Sequence, residues 1–327
     1  MEVYKTLDGA VTKYIHDDGS ETAIKLVKGC EVYNPLKNKK EKMKDRNKYV
    51  VFISSSVGCP VKCKFCYLTV KKYPYENLSF LEIINNLKSA IEHAVTDNPS
   101  LKKKYIKLSF MGMGDIIFDI NKMNLVVIKT LLWVFENKYA AGLDGIDIAT
   151  VWPIHSVYKR IEIEKVLFKL NDGLKYFRQN PENQKRSFIR LFYSLHTTET
   201  ELRNELIPIN SKKEIIRDIY HLKQLERFAG IDIIFHYMFM NGINDDWEDV
   251  NRLLDFWERN DLQEFELRIL RFNECNLSTI KATPEKHLNN ILKEINLYVN
   301  KLKVQHSAGS EIKSACGQFL MKENFKK

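Results

Sequence analysis

Three of the chain's six cysteines, Cys59, Cys63 and Cys66, fall within eight residues of the stretch SSSVGCPVKCKFCY, Ser54 to Tyr67. The C-x3-C-x2-C spacing puts three thiolates on one loop, where they can converge on a single inorganic centre. No further Cys or His appears over the next twenty residues, so four neighbouring ligands for a closed tetrahedral zinc site are not at hand. A cubane iron–sulfur cluster held by three thiolates keeps one iron open to bind a substrate or cofactor directly. Three clustered cysteines also fit a structural zinc or a set of buried thiols, and the residues leave these alternatives open. A second candidate is Met111-Gly112-Met113-Gly114-Asp115, whose bare Gly-x-Gly backbone can approach a ligand. Most such loops need glycine only for a turn, so its value depends on where the fold puts it.

The elements that must carry these loops alternate between strand and helix. Apolar runs rich in β-branched residues occur at 49–53, 105–111, 145–151, 187–195, 231–240 and 265–272. Between them lie amphipathic stretches of helical length, among them 78–94, 121–139, 212–228 and 246–260, with a capping-box spacing at Ser79 and Glu82 and a terminating Gly230. Six alternations predict parallel strands with crossover helices outside, an α/β fold best matched by a partial (β/α)6 TIM-like barrel. In such barrels the chemistry sits at the C-terminal ends of the strands, so the cysteine loop and the Gly-x-Gly loop are expected on one face. Residues 1–48 lack helical periodicity. Asp17-Asp18-Gly19 reads as the turn of a hairpin between Thr12–His16 and Thr22–Val27, predicting a small N-terminal β-rich extension and basic linker. The core is then 49–280, followed by a C-terminal helix and tail over 281–327.

At 327 residues and 44% apolar content the chain can bury a sizeable core. No apolar run approaches membrane-spanning length, and the acid-bearing start has no signal-peptide pattern, so a soluble, cytoplasmic protein with no membrane partner is expected. With three cysteines committed to one cluster there is no disulfide framework, which suits a reducing compartment. The net charge of +9 favours a polyanionic partner, and Lys37–Lys48, with seven basic residues and two acids, reads as a solvated loop or as a phosphate-contacting arm.

The cysteine spacing together with Phe65 resembles the radical S-adenosylmethionine superfamily, in which the open iron takes the amino and carboxylate groups of S-adenosylmethionine and the aromatic lies near its adenine. Five stretches, SSSVGCPVKCKFC (54–66), FMGMGD (110–115), YSLHTTETELRNELIPIN (193–210), NGINDDWED (241–249) and IKSACGQF (312–319), resemble the adenine methyl synthases of the RlmN/Cfr type, in the family order. The resemblance implies a 4Fe-4S cluster on Cys59, Cys63 and Cys66, an RNA substrate, ribosomal or transfer, and an electron donor such as flavodoxin or ferredoxin. It implies S-adenosylmethionine contacts from Phe65, Gly114, Asp115, Ser194, Leu195, His196 and Asn273. Cys316 of the ACGQ string would accept a methyl group from one S-adenosylmethionine. A radical derived from a second would activate that methyl for addition to an adenine ring carbon (carbon 2 or carbon 8), and Glu21 would remove the ring proton.

Several positions depart from that pattern. Asp115 stands where the family has Glu, Trp152 where it has Gly, and Gln305 and Ala308 where it tends to carry Arg. Phe52 occupies the place of a resolving cysteine, for which Cys30 and Cys275 are the remaining thiols. With 58 residues before Cys59, the helical domain that opens family members is expected to be missing. Two rival readings follow: the same radical chemistry on another RNA, a nucleotide or a protein, or a nucleic-acid-binding module with a structural metal.

Overall fold

The computed structural model describes residues 1–27, 31–34, 36, 39–42, 46–154, 156–177, 188–208, 214–274 and 278–305. Cys30, Cys275, Ala308 and Cys316 lie outside the described residues.

The chain begins with β1 (Glu2–Lys5), β2 (Val11–Ile15) and β3 (Glu21–Leu26), an antiparallel run. The β2–β3 turn is the one read from Asp17-Asp18-Gly19: Gly19 takes φ 88°, its N–H donates to the His16 carbonyl at 3.0 Å, and Ser20 N–H donates to Asp18 Oδ1 at 2.7 Å. A separate hairpin, β4 (Glu31–Asn34) with β5 (Lys39–Lys42), precedes β6 (Lys48–Ile53). After β6 come the two-residue β7 (Ser56–Val57), the short α1 (Tyr67–Val70) and β8 (Glu76–Asn77), which pairs with β7. The alternation then runs α2 (Phe80–Asp97), β9 (Tyr105–Phe110), α3 (Ile120–Glu136), β10 (Gly142–Thr150), α4 (Val157–Gly173), β11 (Ile189–Ser194), α5 (Thr200–Leu206), α6 (Ile215–Ala229), β12 (Asp232–Met238), α7 (Trp247–Arg259), β13 (Glu266–Leu270), α8 (Glu285–Tyr298) and β14 (Leu302–Gln305).

Among the described residues one ten-stranded sheet, ordered β1-β2-β3-β6-β9-β10-β11-β12-β13-β14, forms the centre of the fold, with the β4–β5 and β7–β8 pairs outside it. From β6 onward every neighbour is parallel, the partial TIM-like barrel arrangement of an α/β fold, and β3 joins β6 antiparallel so that the N-terminal strands extend the same sheet. The six strands read from the sequence are all present. The seventh parallel strand, β14, is short, has a single buried residue and sits at the edge, so it left no apolar run to read.

Alternate strand residues turn outward into the core beneath the helices: Ile106, Leu108, Ile146, Ile148, Leu191, Tyr193, Phe235 and Leu267 are fully buried, and Phe235 meets Trp257 of α7 edge-on. Helix ends form as the residues demand. The Ser79 hydroxyl accepts from Glu82 N–H at 3.3 Å while Glu82 Oε2 accepts from Ser79 N–H at 2.7 Å, and Gly230 closes α6 at φ 62°. The other strand face carries charge: Lys48 and Lys107 reach Asp144 at 2.7 and 3.0 Å, and Arg190 grips Asp147 through two contacts at 2.9 and 2.8 Å. Lys48, the last residue of the basic run, is thus a strand residue in a half-buried ion pair.

Candidate active site

The C-terminal ends of the strands surround a cavity of about 280 Å3 whose wall includes Cys59, Cys63, Phe65, Cys66, Gly114, Asp115, Ser194, His196, Asn273 and Glu21. These residues come from β3, from the end of β11 and from the loops after β6, β9, β11 and β13, so the sheet is what brings them together. Leu195, between two of them, turns instead into the core and is fully buried. Cys316 lies outside the described residues.

The cysteine loop is built by close backbone packing. Gly58 takes φ 62°, and a Cβ there would fall 2.2 Å from the Pro74 carbonyl oxygen. Cys66 N–H donates to the Cys63 carbonyl at 3.0 Å, the Cys66 carbonyl starts α1, and Lys64 N–H donates to the Leu206 carbonyl at 2.8 Å, tying the loop to α5. Val61, Val151, Met238 and Leu270 pack beside Cys59, Cys63 and Phe65. That apolar wall has an electrostatic consequence: burial pushes the Cys59 thiol up to about 12 and raises Cys63 and Cys66 as well, and the charge of Cys59 and Cys66 raises Cys63 further. Three mutually repelling thiolates in a dry wall need cationic metal to be deprotonated together. Among the described residues no three Cys, His, Asp or Glu close around a single ion. Three soft thiol donors on one cavity wall fit a multi-iron sulfur cluster, which is larger than one ion.

The Gly-x-Gly loop lies directly against the cysteine loop. Gly112 N–H donates to the Ile53 carbonyl at 3.1 Å, Ser55 N–H to the Met113 carbonyl at 2.8 Å, and Met113 N–H to Ser54 Oγ at 3.1 Å. A Cβ on Gly114, at φ 88°, would meet Ser56 Oγ at 2.3 Å and Ser55 Oγ at 2.4 Å. Asp115 is anchored twice: Oδ1 accepts from Ile117 N–H at 3.1 Å, and Oδ2 accepts from Thr150 Oγ at 2.8 Å and Val151 N–H at 2.9 Å. Its side chain therefore braces the loops after β9 and β10 while lining the cavity.

His196, at φ 58°, is buried with Phe65 edge-on at 5.1 Å between ring centroids. Its carbonyl accepts from Asn244 Nδ2 at 2.6 Å, so the NGIND turn after β12 fixes the end of β11. Burial first, and then the Arg203 charge, pushes the His196 imidazole down to about 3, so it is neutral, and its buried Nδ1 has no hydrogen-bond partner among the described residues. Three further polar residues stand here beyond those expected from the sequence. His236 of β12 lines the same cavity with a buried Nε2 that likewise has no partner among the described residues, and burial, then Arg268, holds its imidazole well below the ordinary range. Arg203 is buried and donates through Nη2 to the Ser194 carbonyl at 2.9 Å, pinning α5 to β11. Lys13 of β2 reaches Glu21. A histidine inside the apolar run 231–240 was the one visible signal for His236.

The departures noted above also have places. Phe52 and Gln305 line the cavity. Trp152 adopts φ 59° with its ring buried, a backbone conformation that glycine takes without steric cost.

No family model matches the chain. It is similar to the dual-specificity RNA methyltransferase RlmN of Marinomonas sp., 26% identical over 84% of this chain and 67% of that protein. It is similar to the RlmN of Sulfurovum sp. too, 26% identical over 99% of this chain and 80% of that protein. Among solved structures, a radical SAM methyltransferase from Sphaerobacter thermophilus superposes with a TM-score of 0.69 at 19% identity, covering 97% of this chain and 80% of that one. HydG, a maturase of the FeFe hydrogenase, gives a TM-score of 0.51 at 12% identity over 83% of this chain and 55% of that one. These structural likenesses concern the fold.

Proposed function

We propose that this RlmN-like radical SAM protein is a methyltransferase that modifies an adenine ring carbon in RNA, using a 4Fe-4S cluster and S-adenosylmethionine. The observation that carries the reading is the meeting of three thiols, the Gly114 loop, His196 and Glu21 on one cavity wall. The relatives' names, RNA methyltransferase RlmN, support the substrate class, and the net charge of +9 suits a polyanion.

Cys59, Cys63 and Cys66 would hold the cluster. When bound, that group supplies the electron that cleaves a sulfonium, chemistry no amino-acid side chain provides. The chain's own residues bind and orient. Gly114 leaves room for backbone approach, and the Asp115 carboxyl oxygens, already accepting three hydrogen bonds, can accept from an ammonium group. Neutral His196 offers a buried nitrogen to a polar ligand group, Ser194 and Asn273 add short polar side chains, and Phe65 offers an aromatic face to adenine. Glu21 would take the proton that leaves the adenine ring carbon. The apolar wall of Val61, Val151, Met238 and Leu270 keeps bulk water from the reacting groups. Cys316 is the proposed methyl carrier, and a flavodoxin or ferredoxin the proposed electron donor.

Phe52 on the cavity wall favours a second reading, in which the same chemistry acts on another RNA, a nucleotide or a protein, because phenylalanine cannot resolve a thioether by disulfide formation. Anaerobically reconstituted protein incubated with methyl-labelled S-adenosylmethionine and separated RNA pools distinguishes the two. Label in adenine of an RNA pool supports the first; label confined to Cys316 and absent from every RNA removes it.

A further inference from the structure

Lys13 and Glu21 form an ion pair of 2.7 Å in which the side chains are only 2% and 4% exposed, and both line the cavity that holds the cysteines. The hairpin register sets Lys13 opposite Ala23 and Glu21 opposite Ile15, so the ammonium reaches diagonally across the two strands to the carboxylate. Taking both charges out of water costs several kcal/mol per ion, and a well-packed apolar pair of the same volume is often as stable or more so. Core packing alone therefore gives no reason for a buried lysine at the cavity wall. The chemistry of the neighbouring carboxylate does.

We propose that Lys13 is a positioning residue that keeps Glu21 ionised and fixed inside the cavity, so that the carboxylate can accept a proton there. The assignment rests on the role given to Glu21 above. A lone carboxyl buried to this depth takes up a proton instead of holding its charge, and a protonated carboxyl accepts no further proton. An ammonium at hydrogen-bond distance reverses that preference. Tyr73 feels the same carboxylate, its phenol held above its ordinary range by burial, then by the Glu21 charge and Asp18; His16, next to Glu21's register partner Ile15, meets Thr22 Oγ1 through Nε2 at 2.9 Å, and Lys25 and Arg271 line the same cavity. From the loop after β6, the Ser54 hydroxyl donates to the Glu21 carbonyl at 2.6 Å.

The test compares wild type, Glu21→Gln, Lys13→Arg, Lys13→Gln and the Lys13→Gln/Glu21→Gln double variant. Infrared spectra with carbon-13 carboxyl-labelled glutamate, differenced against Glu21→Gln, should show Glu21 as a carboxylate at neutral pH in wild type and Lys13→Arg. In Lys13→Gln they should show a protonated carboxyl that ionises as pH rises. In the loaded enzyme, the ratio of methylated adenine to 5′-deoxyadenosine should fall by about tenfold or more in Lys13→Gln, one factor of ten per unit of upward shift, and recover with rising pH; Lys13→Arg should keep most of it. The double variant removes both buried charges and should fold, yet stay inactive, which separates chemistry from folding. A protonated Glu21 in wild type, or a Lys13→Gln ratio equal to wild type, overturns the proposal. If the infrared results hold while wild type methylates no RNA, the electrostatic assignment stands and the functional reading falls.

Discussion

Trp152 shows at the residue scale how a departure from a family pattern can be absorbed. Its φ of 59° costs about 1–2 kcal/mol for a residue with a Cβ, whereas removing a buried Trp side chain costs about 3–5 kcal/mol. The packing loss exceeds the relief of strain, so Trp152→Gly should destabilise the fold by roughly 1–4 kcal/mol in urea unfolding, even though glycine suits the backbone better. An unchanged or raised midpoint would mean that the ring contributes little there. Cys63 gives a sharper result: it lies on the cavity wall, between Cys59 and Cys66 in the sequence, so Cys63→Ala removes one of the three thiol donors there. The reconstituted variant should form no 5′-deoxyadenosine, and normal amounts would refute the ligand assignment.

Two loops side by side, not one motif, make the site at the element scale. The loops after β6 and β9 exchange four backbone and hydroxyl hydrogen bonds, and Gly114 lies so close to Ser55 and Ser56 that a methyl group cannot be accommodated in place. Gly114→Ala should therefore lower stability by roughly 1–3 kcal/mol and reduce iron retained after reconstitution, because displacing the β9 loop displaces the cysteine loop. Full iron content with a lowered unfolding midpoint would show that the two loops are independent. The β2–β3 hairpin is the other decisive element. Its antiparallel pairing with β6 places Lys13, Glu21 and Phe52 on one surface, with Ala23 between Lys13 and Phe52 in the register.

For the whole molecule, buried imidazoles set the acid side of stability. Burial pushes His16 down to about 4 and His196 to about 3 in the folded chain, against an ordinary value near 6.5. Between about pH 6.5 and 4 the unfolded chain binds more protons, so stability falls on acidification by about 1.4 kcal/mol per pH unit for each such histidine; above about pH 6.5 they contribute no slope. Urea midpoints between pH 4.5 and 8 should follow this, and His16→Asn should make the acid limb shallower by one proton; an unchanged limb would contradict the buried neutral state. RNA binding should weaken with salt at a slope of roughly −0.7 per phosphate neutralised on single strands, and a flat response would mean that the basic charge does not contact phosphates. No described helix is long and apolar enough to cross a membrane. The sequence by itself determined the chemistry-bearing loops and the strand–helix alternation, because cysteine spacing, glycine pairs and apolar periodicity are local properties of the chain. It could not reveal β14, the Lys13–Glu21 pair, His236 or the bracing by Arg203 and Asn244. Those depend on which strands lie side by side and in what register, and only the folded sheet decides which distant residues become neighbours out of reach of water.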